Sequence, residues 1–208
     1  MKRLRFVVTA GPTREHLDPV RFLSNPSTGK MGFAVAAEAA RRGFPVTLVA
    51  GPVMLKTPKG VRRVDVVSAR EMLAAVRSAV RGERVVLIAT AAVADWRPAK
   101  CAAKKLKKTQ MNGTLKLVRN PDILKAVTGV TKIGFAAETN DVLAEAARKC
   151  REKRLAFIVA NDVSEHGSGF GTDTDRVTFV FPDGTQKPFP LLTKRAVAKR
   201  IIDESLGL

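Results

Sequence analysis

The sequence predicts an α/β fold: a doubly wound, mainly parallel, Rossmann-like sheet with helices on both faces and a C-terminal antiparallel hairpin. Short apolar, β-branched runs alternate with amphipathic helical stretches, the pattern of successive βα units. One run, Val85–Ala92 (VVLIATAA), is apolar from end to end, as a strand buried on both faces must be. The length of 208 residues suits one such domain, spanning 1–208, and is short for two.

Arg5–Ala10 is the first strand, ended by Gly11 and Pro12. The segment Gly29–Arg42 places Met31, Val35 and Ala39 on one helical stripe and stops at Gly43, a residue suited to the left-handed turn after a helix. Pro45–Ala50 is the second strand and Arg63–Val67 a further short one. Ala69–Val80 carries Met72, Val76 and Val80 in helical register ahead of the apolar strand. From Trp96 to Pro121 the chain has no acidic residue and many lysines and arginines, and reads as an irregular, electropositive loop. A helix is expected to open at Asn120–Pro121, with Asn as cap and Pro at the first helical position. Lys132–Ala136, Asp141–Arg154 and Ala156–Ala160 continue the alternation as strand, helix and strand. Arg176–Pro190 alternates about Pro182–Asp183–Gly184 as a hairpin does, and Thr193–Leu206 is a closing helix.

Composition limits the classes available. Hydrophobic residues at 45% and charged residues at 27% exclude disordered and low-complexity chains. A formal net charge of +18 favours anionic partners. The apolar run at the start is too short for a signal peptide, and no stretch reaches the roughly 20 apolar residues of a membrane helix. With only Cys101 and Cys150, a reducing, cytoplasmic setting is expected.

Sheets of this class bind ligands beyond the carboxyl ends of their strands, here Thr9–Arg14, Thr90–Lys108, Ala136–Asn140 and Ala160–Val163. The glycine fingerprint of dinucleotide-binding folds is absent, since Gly11, Gly29 and Gly32 are too widely spaced. Ser27, Thr28 and Gly29 still offer cap chemistry and free N–H groups to a phosphate, although a plain capped helix after a long loop fits equally. Arg21 and Asn25 share a face if that stretch is helical. Asp95, the first carboxylate after the apolar strand, can accept from an amine or hydroxyl, or merely cap a turn. The lysines at 104, 105, 107 and 108 form either a solvated face or, with Lys149 and Lys153, a ring of cations about an anion such as a nucleoside triphosphate. There is no phosphate-binding loop of the G-x-x-x-x-G-K-[ST] type, no Cys/His spacing suited to zinc (His16 and His166 stand apart), and no nucleophile with an evident base.

Several blocks in order, TAGPTREHLDPVRFLSNPSTGKMGFAVA, AAVADWRPA, KKLKK, LVRNPDIL, GFAAET and FIVANDV, resemble the phosphopantothenoylcysteine synthetase family. That family is the ligase half of bifunctional bacterial coenzyme A biosynthesis proteins. The resemblance implies that 4′-phosphopantothenate, L-cysteine and CTP are joined through an acyl-cytidylate, with pyrophosphate and CMP released and Mg²⁺ held mainly by the nucleotide phosphates. It implies nucleotide contacts at Ala89, Thr90, Ala91, Asp95, Pro121, Asp122, Ile123, Leu124 and Phe135, with basic support from Lys149 and Lys153. Lys105 corresponds to the lysine that stabilises phosphate charge; relatives often have an acid before it, where this chain has Lys104. Asn25 corresponds to the residue that holds the acyl-cytidylate, Arg21 to the one needed for its conversion, and Ala92 to a stretch meeting phosphopantothenate and a second subunit. A homodimer with shared sites is thus implied, as is a phosphopantothenoylcysteine decarboxylase either separate or preceding this part of a longer protein. The segment Lys104–Gly113 is expected to become ordered when nucleotide binds.

Two other functions fit parts of the pattern. The charge and the lysine run suit a nucleic-acid-binding protein, but a single Trp and no Tyr leave few stacking platforms. An NADP-dependent reductase would share the fold, but this chain lacks the glycine spacing it needs.

Overall fold

The chain's architecture, taken from a computed structural model, is described for residues 3–82, 84–107, 113–138, 141–162, 165, 167–169 and 171–208, the side chain of Glu138 excepted. In chain order the elements begin with β1 (Arg5–Ala10), β2 (Arg14–His16), β3 (Phe22–Ser24), α1 (Lys30–Arg41), β4 (Val46–Ala50), β5 (Val61–Asp65) and α2 (Ala69–Ala79). They continue with β6 (Val85–Ala89), β7 (Trp96–Pro98), β8 (Leu117–Arg119), α3 (Ile123–Ala126), β9 (Thr131–Glu138), α4 (Val142–Glu152) and β10 (Phe157–Asp162). Last come β11 (Thr174–Asp175), β12 (Val177–Val180), β13 (Gln186–Pro188), β14 (Leu192–Thr193) and α5 (Lys194–Leu206).

The main sheet has the order β13-β12-β10-β9-β6-β1-β4-β5. From β10 to β5 every neighbouring pair is parallel, and the hairpin β12–β13 adds antiparallel strands at the β10 edge. The chain runs outward from β1 in one direction through β4 and β5, and in the other through β6, β9 and β10. Strand order therefore reverses between β1 and β6, the place where such sheets open a crevice.

Both faces are covered. Phe6, Val8 and Ala10 pack with Phe33, Val35 and Ala39 of α1 and with Val197 and Ile201 of α5. The alternate residue Val7 faces the opposite layer, where Leu87 meets Met72 and Val76 of α2, with Leu124 and Cys150 beyond. Each large side chain so buried contributes roughly 1.5–3 kcal/mol.

Local chemistry sets the boundaries. Gly43 takes φ 82° and closes α1 with Gly43 N–H to Ala40 O and Phe44 N–H to Ala39 O. A capping box of Ser68 and Glu71 starts α2, and because Glu71 also takes the Val67 N–H, the preceding strand ends at Asp65 instead of running to Val67. Asp183 accepts from Thr185 N–H in the turn of the expected hairpin.

Four local expectations are corrected. The stretch holding Arg21 and Asn25 is not helical: Phe22–Ser24 pairs antiparallel with Arg14–His16, whose buried Glu15 accepts from Ala69 N–H at the start of α2. The electropositive loop has a regular base, because Trp96–Pro98 and Leu117–Arg119 form an antiparallel ribbon. Neither Asn120 nor Pro121 opens the next helix; Asp122 caps it by accepting from Lys125 N–H. The α1 cap is Gly29, at φ 79° with no side-chain cap, so Ser27 and Thr28 do not cap the helix. Lys108, Asn140, Val163 and His166, and half of the segment expected to order with nucleotide, lie outside the described residues.

Candidate active site

The crevice opens where β6 leaves the ladder. After Ala89 the Thr90 hydroxyl and N–H both donate to Thr9 O, Ala91 N–H donates to Thr9 Oγ1, and Ala92 N–H donates to Gly11 O. This turns Thr90–Ala92 across the end of β1, so the strand stops three residues earlier than its apolar run. Small residues make the turn possible: a Cβ on Gly32 would lie 2.4 Å from Thr90 Oγ1 and 2.5 Å from Ala10 Cβ. Glycine there lets α1 press its first turn against the crossing chain.

Two adjoining cavities result, of about 580 Å³ and 260 Å³, with Ala91, Val93 and Phe135 lining both. The larger takes Ala89 and Asp95 on one side, Pro121, Asp122, Ile123 and Leu124 on another, and Lys153 on a third. Asn25, Thr90, Ala92 and Lys149 line the smaller. The amide of Asn25 donates to Ala92 O at 3.2 Å, tying the end of the first hairpin to the small-residue turn.

The larger cavity is rigidly walled. The Lys153 ammonium lies 3.0 Å from Asp122 Oδ2. Burial opposes the charge on Asp122, but the hydrogen bonds from Lys153 and the Lys125 N–H outweigh it and hold the carboxyl below its usual range. Beneath, buried Lys132 donates to Leu124 O (2.8 Å) and Lys153 O (2.6 Å), clamping two walls together. Burial, then the neighbouring Arg154, pushes its own pKa down. Asn120 donates to Ala94 O, and Arg119 lies 5.3 Å from the Trp96 ring centre.

Arg21 and Lys105 are the expected site residues that line neither cavity. Arg21 is instead bonded to the backbone of Leu106, the residue after Lys105. Arg21 grips Asp18 through Nη2 (2.6 Å) and Nε (3.0 Å) and donates to Leu106 O, while Leu106 N–H donates to Asp18. Arg21 above all, helped by backbone N–H groups of Val20, Arg21 and Leu106 against the cost of burial, holds the Asp18 carboxyl well below the carboxylate range. This clasp fixes the root of the lysine run beside the first hairpin.

Sequence reasoning passed over several lining residues: Lys30, Arg119, Lys125, Asn161, Asp175 and Lys194. Asn161 carried a signal, since it sits in FIVANDV at the carboxyl end of a strand. Lys194 and Asp175 carried none, because their approach depends on how the last loop folds. Among the described residues, those lining the two cavities include no His or Cys. Among the described residues no group of three or more His, Cys, Asp or Glu is placed to hold a metal, and no helix is long and apolar enough to cross a membrane. Both cysteines are free, Cys150 with its thiol pushed up by burial.

Residues 1–207 match the family model of the DNA/pantothenate metabolism flavoprotein C-terminal domain. The chain belongs to that family. It is 48% identical over 212 residues to the coenzyme A biosynthesis bifunctional protein CoaBC of Escherichia coli K12, covering 98% of this chain and 52% of the relative. To the Bacillus subtilis CoaBC it is 46% identical over 207 residues, covering 97% of this chain and 51% of that protein. The crystal structure of the C-terminal domain of a CoaBC superposes with TM-score 0.81 at 41% identity, covering 98% of this chain and 95% of that one. This bears out the resemblance read from the motif blocks, and the parallel-sheet fold with it. The chain spans about half the length of the curated relatives it matches. Neither the nucleic-acid-binding nor the reductase reading gains support from these family members.

Proposed function

We propose that this family member is a phosphopantothenate–cysteine ligase that uses CTP. The observation carrying the proposal is that the residues implied by the resemblance, Arg21 and Lys105 excepted, line two adjoining cavities at the reversal of strand order. The larger suits the nucleotide: Asp95 can accept from a hydroxyl or amine, Asp122–Leu124 offers a backbone wall, and Lys153 a cation. The smaller, with Asn25 and Ala92 joined by a hydrogen bond, suits the acyl group.

In the first half-reaction a carboxylate oxygen of 4′-phosphopantothenate bonds to the α-phosphorus of CTP and pyrophosphate leaves. In the second, the cysteine amine bonds to the acyl carbon, loses a proton, and CMP leaves. Both nucleophiles belong to substrates, so no protein nucleophile is required. What the protein must supply is position and positive charge, since both reactants of the first step are anions. Lys149, Lys153 and Lys30 supply charge around the cavities, and Lys105 joins them from the clasped segment. Asp122 and Asp175 are each engaged by a lysine, so Mg²⁺ fits as an ion carried on the nucleotide phosphates, where it offsets their charge.

A homodimer with sites shared at Ala92 and a decarboxylase partner, separate or in the same polypeptide, belong to the same proposal, as does a cytoplasmic setting. Half-exposed Val20 and Phe22 on the hairpin next to Asn25 offer apolar surface to a second copy. The deciding experiment incubates the protein with 4′-phosphopantothenate, cysteine, Mg²⁺ and each nucleoside triphosphate in turn and weighs the products. Amide product with CMP and pyrophosphate in the CTP reaction is expected. Product with ATP alone overturns the nucleotide assignment, and no product with any nucleotide overturns the ligase.

A further inference from the structure

Lys194, the first residue of α5, is 7% exposed, and its ammonium is enclosed by protein oxygens. It donates to Gly169 O (2.8 Å), Thr172 O (2.8 Å), Thr174 O (3.3 Å) and Thr172 Oγ1 (3.2 Å), and stands 3.1 Å from Asp175 Oδ2. An ammonium has three N–H donors, so five oxygens exceed what hydrogen bonding alone requires. Oxygens from one short loop, one of them anionic, gathered around a single positive charge, are the surroundings a bare monovalent cation takes. Here the cation is tethered to a helix.

The cage is connected to the cleft. Asp175 Oδ1 accepts from Asn161 Nδ2 (3.0 Å) and Gly169 N–H (2.9 Å), while Asn161 Oδ1 accepts from the Ser168 hydroxyl (2.6 Å). Asn161, at the carboxyl end of β10, lines the smaller cavity together with Gly169 and Asp175. A carboxylate accepts only, so the nitrogen side of the Asn161 amide must face it; turning the amide over would set oxygen against oxygen. The ammonium that holds Asp175 in place therefore decides which way Asn161 presents its amide. Lys30 also reaches this loop, at Gly171 O and Asp173, but that pair is solvent-exposed and adds little.

We propose that Lys194 is a positioning residue: an internal cation that gathers Gly169, Thr172, Thr174 and Asp175 about itself and thereby fixes Asn161 and the wall of the smaller cavity. Its kinetic consequence rests on the ligase reading; the loop-ordering consequence does not.

The test replaces Lys194 with Ala, leaving a cation-sized gap, and with Met, which keeps most of the bulk and removes the charge. In both variants, backbone amides of Gly171–Arg176 should exchange faster while those of β1 stay protected. The KM for 4′-phosphopantothenate should rise by roughly tenfold or more, as a displaced positioning group allows, with the KM for nucleotide, held in the larger cavity, unchanged. Propylammonium or K⁺ should restore loop protection and the KM for 4′-phosphopantothenate in the Ala variant; tetramethylammonium, too large for the gap, should not. If the Ala variant fails to fold, the Met variant carries the exchange and kinetic comparisons. Unchanged loop exchange overturns the proposal, as does lower thermal stability with KM and kcat retained, or a loss in the Ala variant that no small cation reverses. A wild-type protein that makes no amide product, yet loses loop protection on Lys194→Met, refutes the ligase reading and leaves the internal cation standing.

Discussion

The sheet edge and the electropositive arm deliver their functional residues in different ways. Ala89 and Phe135 reach the cleft because strand register puts them there, and the register is locked by apolar side chains on both faces; Thr90 follows directly, bonded to the end of β1. Lys105 rides on a segment with a ribbon at its base and the Asp18–Arg21 clasp at its root, and it lines neither cavity. Residues set by packing are in place before a ligand arrives. Residues set by a few polar bonds must be brought in by the ligand or by another copy of the chain.

The sharpest test of that contrast is Lys105→Gln. If the arm supplies charge to the first half-reaction, cytidylate formation should slow by roughly 10²-fold or more, while Lys104→Gln stays near wild type. Rapid-quench measurement of pyrophosphate release separates the two. A larger loss in Lys104→Gln moves the assignment by one residue, and no loss in either removes the arm from the chemistry.

The sheet edge breaks differently. Gly32→Ala would drive a methyl group into Thr90 and Ala10, and overpacking of this kind costs about 1–3 kcal/mol. Calorimetry should show a lower melting temperature, with catalysis falling because the Thr90–Ala92 turn shifts. Unchanged stability would mean that the turn yields easily and is not the fixed floor described here.

Asn25 joins the two regions, since it follows the first hairpin and donates to Ala92 O. Asn25→Asp sets an acceptor against that carbonyl. The variant should still form cytidylate but convert it slowly, with overall turnover down by about tenfold, the equivalent of one hydrogen bond. Unchanged turnover would remove Asn25 from the second half-reaction.

Legibility followed the same division. The strands of the sheet and the longer helices could be read because a two-sided sheet demands continuous apolar runs and α1 and α2 show one apolar stripe. Gly43 and the Asp183 turn were legible because their local conformation has few chemical solutions. Errors came where a tertiary partner decides the local state. Phe22–Ser24 is a strand because Arg14–His16 lies beside it, and Asp122 displaces Asn120 as cap because Asn120 is drawn to Ala94 O. The nucleotide wall was found by resemblance to family blocks, not by spacing. The Lys194 cage had no signal at all, because carbonyl oxygens leave none in a sequence.

The smallest expected effect concerns the clasp, whose contribution is lost in acid. Asp18 has its folded pKa depressed below the ordinary value of 3.8, chiefly by Arg21, so at pH values around and below 3.8 the unfolded chain binds the proton more readily than the folded one. Its contribution is therefore complete above that value and is lost as pH falls toward the folded pKa. Glu38, held at about 2 by Arg41 and Arg42 against its ordinary 4.5, adds to the same acid limb from the α1–α5 layer. Asp18→Asn should lower thermal stability at neutral pH and leave a shallower acid limb than wild type, the remainder being due to Glu38. It should also speed exchange at Ala102 and Leu106, whose N–H groups bond to the hairpin, while the Ala91 and Ala92 amides keep their protection. Loss of protection at both places would mean that the arm and the sheet edge open as one unit, and the distinction between them would fail.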